Sequence, residues 1–131
     1  MTGVQTCALP IYAVVPVFIA DRALDFDHVA HACALGFPGV MVDTADKLEG
    51  SLFEALPVAE LRRFVAIVRA SGALAGLAGA LRLPHLAALH ALAPDFAGFR
   101  SAVCAGDRAG ELDPARLRAL AAALHAAPVA A

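Results

Sequence analysis

Four times along the chain, a short apolar stretch passes through a polar or glycine-bearing turn into a segment whose apolar positions recur at helical spacing. In the first unit, AVVPVFIADRALDFDHVAHACALG, residues 14–20 have the length and continuity of a buried strand. Val29, Ala30, Cys33 and Ala34 then share one face of a helix that Asp25 or Asp27 can cap and that Gly36 ends. The second unit reads as a strand GVMVDT, a polar loop ADKLEGS, and a helix PVAELRRFVAIVRASG with Pro57 near its start and Gly72 just past its end. The third is shorter, LAGLAGAL followed by LPHLAALHALA. The fourth runs from AGFRSAV through CAGDRAGEL into DPARLRALAAALHAA, where Asp113 is a natural N-cap and Pro114 a natural first helical residue.

Strands apolar on both faces and separated by helices imply right-handed crossovers and a parallel sheet. The unit length suits a (β/α)8 barrel, which needs ~250 residues for eight units. These 131 residues hold four. The expected fold is therefore α/β, half of a TIM (β/α)8 barrel with four βα units and a parallel sheet. Such a half leaves one sheet face and both outer strands uncovered, an expensive exposure for Val14, Val17, Val40 and Val42. A doubly wound open sheet is the alternative, although its GxGxxG fingerprint is absent after the first strand.

Composition narrows the setting. The hydrophobic fraction of 60% owes much to alanine, which favours closely packed helices. Apolar runs such as AVVPVFIA fall well short of the ~18 residues that span a bilayer, so no membrane association is expected. A net charge of −2 with both signs scattered offers no basic stripe to nucleic acid. Cys7, Cys33 and Cys104 are odd in number and lack metal-type spacing, which suits a reducing cytoplasm. Residues 1–11, MTGVQTCALPI, have neither the basic start nor the sustained apolar core of a signal peptide. They look like a translated sequencing adapter and are expected to be non-native, leaving residues 12–131 as the half-barrel.

In a barrel, residues at the carboxyl ends of strands face the active site, and Asp21, Asp43 and Arg100 fall at such ends. Asp43 follows VMV directly; it would serve equally as a loop or helix-capping aspartate. Lys47, the one lysine beside nine arginines, lies on the next loop, close enough to turn its amine to the same rim. There it could act as an acid, a base or a Schiff-base amine, or remain a solvated surface charge. Glycines gather after the third and fourth strands in AGLAGAL and CAGDRAGEL, where barrels often bind phosphate through backbone N–H groups. Gly79 and Gly106 would allow that approach, with Arg100 and Arg108 supplying charge; the plain alternative makes Gly76 and Gly79 packing residues and CAGDRAG a turn. His28, His31, His85 and His90 lack the carboxylate or cysteine that would complete a tetrahedral set, so no metal is expected. Cys104 reads as a small buried thiol.

The segments IADRALD, MVDTADKLEGSLF, GLAGAL and DFAGFRSAVCAGDRAGELD together resemble the (5-formylfuran-3-yl)methyl phosphate synthase family of methanofuran biosynthesis. The resemblance implies a TIM barrel, of which this chain is the C-terminal half, strands five to eight. It also implies a lyase that condenses two molecules of glyceraldehyde 3-phosphate, a small phosphosugar, into a phosphorylated furan aldehyde without a cofactor. The family's DTxxK motif matches Asp43 and Lys47, implying an acid/base pair. Its phosphate-holding segments match Gly79, Arg100, Gly106, Asp107 and Arg108, with Asp21 at the substrate rim. The family's Schiff-base lysine belongs to the amino-terminal half, so this chain alone is expected to be inactive. A non-catalytic module that pairs through open sheet edges, as a homo-oligomer, is the competing expectation.

Overall fold

The computed structural model describes residues 12–45, 50–105 and 110–126. In chain order the elements are β1 (Val17–Ile19), α1 (Phe26–Ala34), β2 (Gly39–Asp43), α2 (Leu52–Ala55), α3 (Val58–Ala70), β3 (Leu74–Ala78), α4 (Leu86–Leu92), β4 (Phe96–Gly98) and α5 (Pro114–His125). Short 3-10 turns at Leu83–His85 and Ser101–Val103 precede α4 and follow β4. The supposed adapter segment 1–11 and four of the candidate site residues, Lys47, Gly106, Asp107 and Arg108, lie outside the described residues.

The strands form one parallel sheet in the order β1-β2-β3-β4. Val17 stands opposite Met41, Val40 opposite Ala75, and Gly76 opposite Phe96. The order runs one way across the sheet, without the reversal on which a doubly wound sheet depends. Under right-handed crossovers, a one-way order carries every helix to the same face. The core agrees: Val29 and Cys33 of α1, Leu52 of α2, Leu61, Phe64 and Val68 of α3, Leu89 of α4 and Leu120 of α5 share one cluster with Val40, Val42, Ala75 and Leu77 of the sheet. Full burial of side chains such as Phe64 and Leu61 contributes about 1.5–3 kcal/mol each.

Because side chains alternate along a strand, the residues between these core positions point the other way. Val17, Met41, Asp43, Gly76, Ala78, Phe96 and Gly98 occupy that second face, which no helix covers among the described residues. The expected exposure is thus corrected in detail. Val40 and Val42 are fully buried beneath the helices, whereas Val14 and Val17 are about half exposed, at 52% and 48%.

Local signals explain most element ends. Asp25, not Asp27, caps α1, its carboxylate accepting from the Asp27 N–H at 2.8 Å. Asp113 caps α5 through the N–H groups of Ala115 and Arg116, with Pro114 next. Helix α2 was not expected. Ser51 and Glu54 form a reciprocal capping box at its start, and that S-x-x-E spacing was the signal available in the sequence. The fourth strand is displaced from the expected 97–103 to Phe96–Gly98, because residues 101–103 wind into a 3-10 turn and Cys104 pairs antiparallel with Leu112. The first is shorter than expected, three residues in place of 14–20.

Candidate functional site

A cleft of about 310 Å³ opens at the carboxyl edge of the sheet, lined by Met41, Asp43, Ala78, Gly79, Ala80, Gly98, Phe99, Arg100 and Ser101. Parallel strands deliver these residues there because all four end on the same side. Asp43 is the last residue of β2, on the face that the helices leave open. Its main-chain carbonyl accepts from the Ala20 N–H at 2.8 Å, and its carboxylate accepts from the following Thr44 N–H at 2.6 Å. Asp21 lies two residues beyond β1, where its carboxylate accepts from the Ala45 N–H at 2.8 Å. It borders the loop after β2 and is not among the residues lining the cleft.

Gly79 sits immediately after β3 with φ of +129°. A β-carbon there would stand 2.9 Å from Thr44 Oγ1 and 3.2 Å from Leu52 Cβ, so glycine lets the buried Thr44 and the start of α2 close on the sheet edge. Its carbonyl also accepts from the Leu52 N–H at 2.9 Å. Ala80 follows in the left-handed region at φ 49°, a conformation that costs an alanine about 1–2 kcal/mol. Two consecutive positive φ values thus turn the chain sharply away at the cleft wall.

Arg100 is exposed and stands two residues after β4, at the opposite side of the cleft from β2. Beyond it, Ser101 is buried, and the Ala105 N–H meets Glu111 C=O at 2.8 Å while the Asp113 N–H meets Val103 C=O at 2.7 Å. These bonds join residues 103–105 to residues 111–113. Cys104 is buried, and its carbonyl accepts from the Arg116 guanidinium at 2.8 Å.

The structure therefore brings Asp43, Gly79 and Arg100 to one cleft and sets Asp21 beside it. Met41, Phe99 and Ser101 were missed as lining residues. Met41 was legible, since it precedes Asp43 by two positions and shares its face; Ser101 was hidden by the assumption that the strand ran through it. His85 serves structure: its Nδ1 accepts from the Arg82 N–H at 2.9 Å and its ring stacks on Phe53, with centroids 5.3 Å apart. Among the described residues, no three His, Cys, Asp or Glu side chains gather as a metal-binding group, and no helix is long and apolar enough to cross a membrane.

A one-way parallel α/β sheet with polar groups collected at its carboxyl edge is the arrangement of proteins that do their chemistry in the loops after the strands. The family model described as 4-HFC-P synthase matches residues 4–121, and the chain belongs to that family. It is 38% identical over 116 residues to a Methylorubrum extorquens protein that carries the (5-formylfuran-3-yl)methyl phosphate synthase name provisionally, a match covering 88% of this chain and 49% of that protein. It is also 38% identical over 86 residues to the (5-formylfuran-3-yl)methyl phosphate synthase of Archaeoglobus fulgidus, covering 66% of this chain and 37% of the relative. The chain spans about half or less of the length of these curated relatives.

Proposed function

We propose that the chain supplies four βα units of a (β/α)8-barrel lyase that condenses two glyceraldehyde 3-phosphate molecules into (5-formylfuran-3-yl)methyl phosphate, with loss of one phosphate and water. The placement of Asp43 in a cleft it shares with Gly79 and Arg100, at the carboxyl edge of a one-way sheet, carries this reading. Two features support the barrel. The helices cover one face only among the described residues, and the uncovered face presents Met41 and Phe96, apolar side chains of the kind that fill a barrel interior in layers.

The condensation needs one triose deprotonated beside its carbonyl, a carbon–carbon bond formed to the other, and water and phosphate expelled on the way to an aromatic ring. Each of these steps moves a proton. Asp43 and Lys47 form the acid/base couple: the carboxylate, held by the Thr44 N–H on a backbone whose carbonyl accepts from Ala20, takes and returns protons at the substrate carbon, and the ammonium group donates to departing oxygens. Arg100, the backbone beyond Gly79, and the loop containing Gly106, Asp107 and Arg108 bind the phosphorylated substrate, with Arg108 supplying charge. The covalent lysine comes from the other half of the barrel, so this chain alone does not turn over.

The test joins this chain to the portion of the Methylorubrum extorquens relative that it does not match, supplies glyceraldehyde 3-phosphate, and follows the furan aldehyde phosphate by mass and ultraviolet absorbance. Product from the joined protein and none from the chain alone is the expected outcome. A correctly folded joined protein that yields no furan product would refute the reading.

A further inference from the structure

The ladder between β1 and β2 places the Met41 N–H on the Pro16 carbonyl at 3.0 Å and the Ala20 N–H on the Asp43 carbonyl at 2.8 Å. Parallel pairing uses alternate residues of the neighbouring strand, so after Pro16 and Phe18 the next acceptor, due to the N–H of Ala45, is the Ala20 carbonyl. The chain does not continue straight that far. The Arg22 N–H turns back onto the Ile19 carbonyl at 3.3 Å, and Ala23 takes a φ of 60°. Instead, the Asp21 carboxylate meets the Ala45 N–H at 2.8 Å, spanning 24 residues of sequence. A side chain thus extends the ladder one step beyond the strand.

We propose that Asp21 is a positioning residue for Asp43. The two bonds bracket the rim: Ala20 holds the carbonyl of Asp43, and Asp21 holds the N–H two residues later. Between them Thr44 is buried against Gly79 and donates its N–H to the Asp43 carboxylate at 2.6 Å. With both ends of the 43–45 segment fixed, the carboxylate of Asp43 is aimed before substrate arrives. This role also fits the charge of Asp21, since a carboxylate repels the phosphate it would otherwise be asked to bind. The inference rests on the reading of Asp43 as an acid/base group.

Asp21→Asn keeps a carbonyl oxygen able to accept from Ala45; Asp21→Ala does not. Two measurements use this contrast. In the 131-residue chain, amide hydrogen exchange at Ala45 should quicken about tenfold in D21A and stay near wild type in D21N. In the joined synthase, D21A should lower kcat about 10- to 100-fold with KM nearly unmoved, while D21N retains most of kcat. Unchanged Ala45 exchange in D21A, a D21N variant as impaired as D21A, or a rise in KM in place of the fall in kcat would each overturn the proposal. If the wild-type joined protein makes no furan product, the proposed function fails separately, and the exchange comparison still decides whether Asp21 anchors the rim.

Discussion

The ring of Phe96 lies across Gly76 and fills the space that a side chain at position 76 would enter. The two residues face each other in register between β3 and β4, on the sheet face without helices. The same ring is 3.6 Å from where a β-carbon on Gly39 would stand, so it spans the sheet toward β2. Glycine on these strands is a packing choice.

Gly76→Ala should therefore destabilise the fold by about 1–3 kcal/mol, the usual cost of overfilling a packed site, read as a lower urea midpoint. Adding Phe96→Leu should recover part of that loss. Strict additivity of the two substitutions would show that the ring is not what the glycine accommodates.

Gly79 and Gly36 separate backbone strain from crowding. Both have positive φ, but Gly36 at +85° has nothing within 4 Å of its missing β-carbon, whereas Gly79 at +129° has Thr44 at 2.9 Å. Gly36→Ala should cost about 1 kcal/mol from conformation alone, and Gly79→Ala clearly more, since it must also displace the buried Thr44. Thermal unfolding of the two variants gives the order directly, and the reverse order would contradict the packing described for the rim.

Much of this architecture was legible in the residue pattern. Four apolar runs alternating with helical periods marked the order of strands and helices apart from α2, and Asp113-Pro114 and Pro57 marked two helix starts correctly. Strand ends were less legible, because an apolar run does not say where hydrogen bonding stops. FRSAV looks like a strand, yet Ser101–Val103 forms a 3-10 turn that buries Ser101 and Val103. Nor did Val40 and Val42 reveal their face, since alternation is invisible in a strand apolar on both sides. Of the site, Asp43 and Arg100 followed from position alone, while the contact between Asp21 and Ala45 depends on how β1 bends, which no local pattern announces.

The uncovered face has a consequence for behaviour in solution. Val17 is about half exposed and stands opposite Met41 on this face, an apolar surface of the kind that drives association. By light scattering, the 131-residue chain alone should be larger than one copy, and Val17→Lys should shift it toward the single chain. The joined synthase, its face covered, should show no such dependence on Val17.

Arg100 offers a test of phosphate binding apart from chemistry. Losing a charge-assisted contact to phosphate should raise KM about 10-fold or more in Arg100→Ala, with a smaller change in kcat, and Arg100→Lys should fall between. Steady-state kinetics of the joined synthase would show this split; a fall in kcat at unchanged KM would place Arg100 in the chemical step.

In the proposed reaction, the carboxylate at the end of β2 moves protons together with the amine of Lys47. Asp43→Asn keeps size and a hydrogen-bond acceptor for Thr44 but removes the base. The decisive measurement is the rate of furan aldehyde phosphate formation by the joined synthase carrying Asp43→Asn, alongside Lys47→Ala. Each variant should lose about 100-fold or more in kcat, as expected for removal of an acid/base group. Full activity in both would contradict the account.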